Sequence, residues 1–539
     1  MPSETGRQYQ VHPYSLDALL KLTAELSGKN IVDDIREKRH PRYLNEYLKH
    51  GEVKTIVVER RYVDRDYLED FAAYYVRCFE QYDRHCGRLH FFTESFTDRG
   101  FRKILSLPIS APEMQRFRDS YFGFIVVKPL PQTVFGRTCL RTYSTAGTNR
   151  HFPVTRRFSA NLFGIPLDLP ETLPFQEQDS VVAACATSAL WSALQATAKE
   201  FQHPLLTPIE ITRAATDFLP AESRIIPNRS GLSTAMMAEA IRGVGLEPLL
   251  WEVPDNSDDT LRSALYAYLR GRVPIIMGVT LADVSRPKAP KLIGEHAVAV
   301  TGYHLSGKRA ARARKTGFRH RATCIDKIYV HDDQLGPFAR MQFDGARVKE
   351  PVGRGRVIAS QSLSTSWESA DGSMRVRAIP RILLIPLYHK VRIAYADVFE
   401  AVIQLDGFLK TLAFPPQHKG LADLEWDIHL TTVNELKVSL QQNASLIDAN
   451  RLRWLTRSMP RFLWRAQART DKQPILDILF DATDIHTSNG IHGVIFYDED
   501  VHYIIRYIAR SLKPTSVPDI GSGALRILKA IAADPIAPA

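Results

Sequence analysis

The apolar pattern between residues 160 and 390 changes period once, and that change narrows the possible folds more than any other property of the chain. Up to residue 271 the spacing is helical. Ala183–Phe201 sets Ala186, Ala189, Leu190, Ala193 and Leu194 on one face. Further helices are expected over Thr207–Phe218, Ser233–Gly245 and Asp259–Gly271, the second of these opened by Gly231-Leu-Ser-Thr. From residue 273 the apolar runs become short and strand-like, over 273–279, 296–303, 327–332 and 379–387. Helices first and antiparallel strands later is the α+β pattern.

The flanks mix the two periods. In residues 1–150, Val53–Val58 and Tyr121–Val127 read as strands, and Tyr67–Phe79 has helical spacing. The stretch 144–159 reads as a linker or an exposed hairpin. In residues 391–539, strands over 461–468, 474–480 and 493–497 alternate with helices over 394–408, 500–511 and 524–533. A chain of 539 residues suggests about three domains at roughly 100–200 residues each. The expected division is an N-terminal α/β domain (1–150), a central domain (160–390) and a C-terminal α/β domain (391–539).

Composition removes several classes. At 45% hydrophobic and 24% charged residues, the chain can build an ordinary globular core. Its five cysteines are scattered and contain no CxxC pair, so neither a disulfide framework nor a cysteine-rich zinc site is indicated. No signal-peptide pattern opens the chain, and no apolar run approaches the roughly 18 residues that span a bilayer. A cytoplasmic protein without membrane partners or cofactors is expected. The net charge of +11 is mild for this length. It concentrates in Lys308–Arg321, where seven of fourteen residues are Lys or Arg. That run is expected as a solvated, mobile hairpin tip, or as a dock for an acidic partner or nucleic acid.

Chemistry gathers in the central region. Cys185 falls in the first turn of its helix, where the end amides stabilise a thiolate, among small neighbours Ala183, Ala184 and Ala186. His296 opens the strand His296-Ala-Val-Ala-Val-Thr-Gly-Tyr303, at the rim of a sheet. If 296–303 pairs antiparallel with 327–332, Asp332 comes to the same sheet end and can hold the imidazole tautomer. Asp333 is the rival, on the opposite face unless the strand bulges. Gln178, or Gln176, could donate to an oxyanion together with the Cys185 amide. Asp477, Asp481, Asp484 and His486 could form a metal site, against the plainer reading of a solvated strand end.

The histidine strand resembles that of papain-like cysteine peptidases, which reads His-Ala-Val-Ala-x-x-Gly-Tyr, and Ile328-Tyr-Val-His-Asp332 is similar to the strand that carries the family's Asn or Asp. The resemblance covers residues 176–390. It implies a helical lobe, an antiparallel sheet lobe and a cleft between them, with Cys185 as nucleophile, His296 as base, Asp332 as orienting group and Gln178 as oxyanion donor. Gln178 stands one residue further from the cysteine than the family's glutamine, Ala186 replaces the Trp that usually follows the cysteine, and Asp replaces Asn. The last feature is similar to bacterial enzymes that process leader peptides. The expected activity is hydrolysis of a protein or peptide substrate through a thioester. The alternatives are another acyl transfer on the same fold (amidase, transglutaminase or removal of a ubiquitin-like modifier) and a non-catalytic effector binding acidic partners or nucleic acid.

Overall fold

The computed structural model describes residues 8–179, 184–216, 231–254, 258–286, 290–351, 357–368, 374–443, 446, 448–471, 473–484, 490–512 and 520–533. The chain divides into two compact units. One holds residues 1–256, 274–303 and 327–386, and the other holds 257–273, 304–326 and 387–539. The boundary expected between 150 and 160 falls inside the first unit; the one expected at 390 lies close to a unit border.

The first unit opens with five strands, Tyr9–Pro13, Thr55–Tyr62, Cys86–Phe92, Tyr121–Val127 and Phe135–Leu140, hydrogen-bonded in chain order. Every neighbouring pair is antiparallel. The helices between them return each strand to its neighbour's side instead of crossing over, so the region is α+β and not the α/β expected. Two of the three inner strands, Cys86–Phe92 and Tyr121–Val127, are buried at every residue. Their apolar surface packs on Phe101, Phe117 and Leu167, with Phe92 stacked on Phe117 at 4.6 Å. The end of the stretch read as linker or hairpin enters a hairpin, Arg156–Leu162 with Ile165–Thr172.

The Cys185–Phe201 helix is buried from Ala186 to Ala198. A helix enclosed on all sides needs neighbours all round. Its partners are the Pro208–Ala214 and Thr234–Gly243 helices and, through Ile276, Ala297, Ala299 and Leu384, a sheet. In that sheet the strands Ile275–Asp283, Lys291–Leu305, Ile325–Asp332, Gly336–Gln342, Leu363–Glu368 and Arg375–Tyr388 follow one another, and the last pairs back onto the first. The path therefore closes on itself and leaves no free edge among these six. Ser306 N donates to Cys324 O at 2.8 Å, Thr301 Oγ1 donates to Tyr329 O at 3.0 Å, and His296 meets Asp332 at 3.0 Å. Partners that recede in opposite directions make an antiparallel pair, which brings His296 and Asp332 to one end of the sheet.

The second unit carries an antiparallel sheet of Glu425–Thr432, Phe462–Arg469, Pro474–Asp481 and Ile491–Phe496. Two residues of the basic run, Arg319 and His320, pair parallel with Glu425 and Trp426. This overturns the expectation of a solvated loop. Arg309, Arg312 and Arg319 converge on Asp423 at 3.3, 3.0 and 2.7 Å, and Arg321 meets Glu425 at 3.1 Å. Burial works to raise the Asp423 pKa, but the Arg319 and Arg312 guanidiniums override it and hold the carboxyl at about 2. Four of the seven cations thus have carboxylate partners in their own unit. Asp477 also departs from the solvated reading. It is fully buried and accepts from Arg465 Nε and Gln467 Nε2 at 2.9 Å each and from Tyr497 Oη at 2.6 Å. Asp481 accepts from Thr483 N at 2.8 Å. His486 lies outside the described residues.

Candidate active site

Cys185 is the first residue of its 17-residue helix, and the thiol is half-buried. Ala184 holds the cap position in an extended conformation and offers no side-chain acceptor to the end amides. A long helix with an uncapped first turn presents N–H groups and partial positive charge to whatever lies there. Ala183 lies outside the described residues. The Cys185 side chain interacts with the His296 imidazole and favours its protonated form.

His296 is not the first residue of its strand. The strand begins at Lys291, its first five residues are exposed, and burial starts at the histidine. His296 therefore stands where an exposed arm becomes sheet wall. Its Nε2 lies 3.0 Å from Asp332 Oδ1 and 3.6 Å from Asp333 Oδ1. With Nε2 engaged by the carboxylate, Nδ1 is the nitrogen left for the thiol. Burial pushes the imidazole pKa down, but the Asp332 charge and hydrogen bond, the Cys185 hydrogen bond and the Asp333 charge outweigh it, and the net shift is well upward.

The strand register breaks between Val330 and Asp332, the strand ends at Asp332, and Asp333 already lies in the turn, so both aspartates can reach the histidine. A regular strand would send the two side chains to opposite faces. Their environments then separate them. Asp332 accepts from Trp367 Nε1 at 2.5 Å and Gln334 N at 3.2 Å. Burial works to raise its pKa, and the His296 cation and these donors bring it below the usual value. Neither carboxylate oxygen of Asp333 has a hydrogen-bond partner among the described residues. Burial raises its pKa to about 7, against the His296 charge. Asp332 is the ionised partner of the imidazole.

The turn is braced from behind. His40 Nε2 donates to the Asp333 carbonyl at 2.7 Å, and Lys38 pairs with buried Glu177 at 2.5 Å. Glu177 also accepts from the amides of Val134 and Phe135 at 2.9 and 3.0 Å. Gly336 follows the turn at φ 158, and a Cβ there would stand 2.3 Å from the Tyr43 ring. Only glycine allows that approach.

Gln178 is half-buried and makes no hydrogen bond among the described residues. Gln176 is buried, and its Nε2 has no acceptor among them. Sequence reasoning missed Trp367, which also meets the His296 ring edge-on at 5.4 Å. Its only signal was a lone Trp on a polar strand, Ser362-Leu-Ser-Thr-Ser-Trp367. His296, Asp332 and Asp333 offer ligand atoms within 4.8 Å of one another, a spacing that a divalent ion can also bridge. No protein-family model matches the chain, and no curated protein matches it. No helix among the described residues is long and apolar enough to cross a membrane.

Proposed function

We propose that the chain is a papain-like cysteine peptidase. The carrying observation is the series from the Cys185 thiol at an uncapped helix end, through the His296 imidazole with which it interacts, to the Asp332 carboxylate 3.0 Å from that imidazole. The helix cluster around Cys185–Phe201 and the closed antiparallel sheet that carries His296 and Asp332 support the two-lobed reading. Asp332 stabilises the imidazolium, which in turn stabilises the thiolate. Sγ attacks the scissile carbonyl carbon. The amine leaves with the proton held by His296, and a thioester forms. Water then attacks, His296 takes its proton, the acid departs and the thiol is restored. The Cys185 amide is one donor to the oxyanion. Gln176, a buried donor without an acceptor, is a better second donor than Gln178. The five free cysteines fit a reducing, cytoplasmic location.

A fluorogenic peptide library tests the reading. The wild-type chain should cleave and be labelled at Cys185 by a thiol-directed peptide electrophile, and Cys185→Ala and His296→Ala should do neither. Full cleavage by Cys185→Ala would sink the proposal. Offering water and a primary amine to the trapped acyl group separates hydrolysis from transamidation.

The 4.8 Å cluster favours a second reading, a divalent ion on His296, Asp332 and Asp333. It ranks lower because three N–H groups already converge on Asp332, which leaves Asp333 as the carboxylate with lone pairs to spare. Dialysis against EDTA should leave peptide cleavage unchanged. Loss of cleavage on dialysis and its return with Zn2+ would favour the metal.

A further inference from the structure

One pocket of the first unit is lined by neither Cys185 nor His296. It has a volume of about 970 Å³ and five cationic residues in its wall, Arg36, Lys38, Arg39, Arg42 and Arg340, against two carboxylates, Glu37 and Glu46. Two of the cations are occupied, Arg36 by Asp33 at 2.7 Å and Lys38 by Glu177. Arg39, Arg42 and Arg340 pair with no carboxylate among the described residues. Three like charges gathered in one concavity repel one another, and an anion relieves that repulsion.

The Arg39–His50 helix sets Arg39, Arg42 and Glu46 on one face at helical spacing. Arg340 enters from the sheet, with its guanidinium 4.6 Å from the centre of the Tyr143 ring. Tyr43 Oη donates to Pro337 O at 2.6 Å, so in its 3.4 Å contact with Tyr143 the Tyr143 hydroxyl is the donor, and the two phenols brace the pocket wall beside Arg340. Guanidinium forks from separate elements, converging on one concavity, match the several oxygens of a phosphate group. An extended polyanion would call for a basic stripe along a face, not a pocket.

The geometry points to a binding site for a small phosphorylated ligand, linked to the thiol–imidazole series through one side chain. The link is Arg39. Its guanidinium also lies over the Trp367 ring, 4.6 Å from the centre, and Trp367 donates to Asp332. The stack leaves the in-plane N–H fork of Arg39 free, and a phosphate that takes it fixes the guanidinium on the Trp367 ring and so biases the donor on Asp332.

Calorimetric titration of the full chain with pyrophosphate and with ADP tests the site. We expect saturable one-site binding that weakens as salt rises, and affinity about tenfold lower or worse in both Arg42→Ala and Arg340→Ala. Arg42 is exposed on its helix, so its removal spares the fold, and Arg42→Lys should fall between because the charge stays while the fork is lost. No saturable binding of either probe, undiminished binding in both alanine variants, or binding of a glutamate-rich peptide in place of pyrophosphate would overturn the site. The link is read as the iodoacetamide alkylation rate of Cys185, followed by mass spectrometry. Saturating pyrophosphate should change this rate at least about twofold, and should not in Arg39→Ala. An unchanged wild-type rate would overturn the link. Binding and alkylation both proceed without peptide cleavage, so this inference and the peptidase reading fail separately.

Discussion

Each unit buries a histidine against an aspartate at the same distance. His296 Nε2 stands 3.0 Å from Asp332 in the first, and His429 Nδ1 stands 3.0 Å from Asp427 in the second. Their proton affinities move in opposite directions. The His296 pKa rises well above its ordinary value, whereas burial, together with the Arg270 charge, lowers that of His429 to about 4. The difference lies in the third partners. Asp427 already serves Arg270 at 3.4 Å and the Tyr266 hydroxyl at 3.0 Å, and Arg465 adds repulsion toward His429. Among the described residues, no guanidinium ranks with the leading influences on His296. The histidine faces a second carboxylate and a thiol. A short histidine–aspartate contact therefore assigns no role by itself; the surrounding charge decides whether the imidazole is an acid–base group or a neutral brace.

Removing single groups should sharpen this contrast. The largest effect is expected for Cys185→Ala, with peptide cleavage reduced at least about 10³-fold while the thermal unfolding midpoint stays near wild type. The paired substitutions come next. Asp332→Asn should lower the cleavage rate by about 10²-fold, because the amide oxygen can still orient the imidazole, as the Asn of other papain-like enzymes does, but the charge that supports the imidazolium is lost. Asp427→Ala leaves Arg270 and the Tyr266 hydroxyl without their buried acceptor, and should cost about 3–5 kcal/mol in urea unfolding. A large stability loss in Asp332→Asn with an unaltered rate would make the two pairs alike. Trp367→Phe keeps the ring and deletes the N–H that Asp332 accepts. Loss of a hydrogen bond to a charged group is worth about 1.5–3 kcal/mol, so the rate should fall by roughly ten- to a hundredfold.

The same contrast explains what the sequence could and could not disclose. Period and apolarity gave Tyr121–Val127 to the residue and placed the Cys185 helix within two residues of its start, because both are read from the chain's own pattern. The His296–Asp332 juxtaposition was legible because antiparallel pairing of two recognisable strands fixes which ends meet. The break in register after Val330 and the strand's end at Asp332 were not, since neither leaves a mark in an apolar alternation; with Asp333 in the turn, it too comes within 3.6 Å of the histidine. Trp367, His40 and the Arg39–Arg42–Arg340 cluster are joined by contacts across about 300 residues of chain, and no local spacing encodes those. The basic run misled for the same reason. Its charge was visible, and its partner Asp423, about a hundred residues on, was not.

The smallest effect is the most discriminating, because it reads both histidines in one sample. In a histidine-labelled protein followed by NMR, His296 should stay protonated above pH 6.5, and His429 should stay neutral until the pH nears 4. The stability contributions have opposite signs. The folded state binds the His296 proton more tightly than the unfolded chain does, so that contribution is present below pH 6.5 and is lost as pH rises through the elevated folded value. The folded state binds the His429 proton more weakly, so its contribution is present above pH 6.5 and is lost as pH falls from 6.5 toward 4. Asp332→Asn removes the strongest attraction for the His296 proton and leaves burial, which pushes the other way. Both histidines should then titrate below 6.5, and the contrast between the units should vanish. If His296 in that variant still titrates above 6.5, Asp333 holds the imidazolium, and the acid–base pair must be reassigned to the carboxylate that has no other donor.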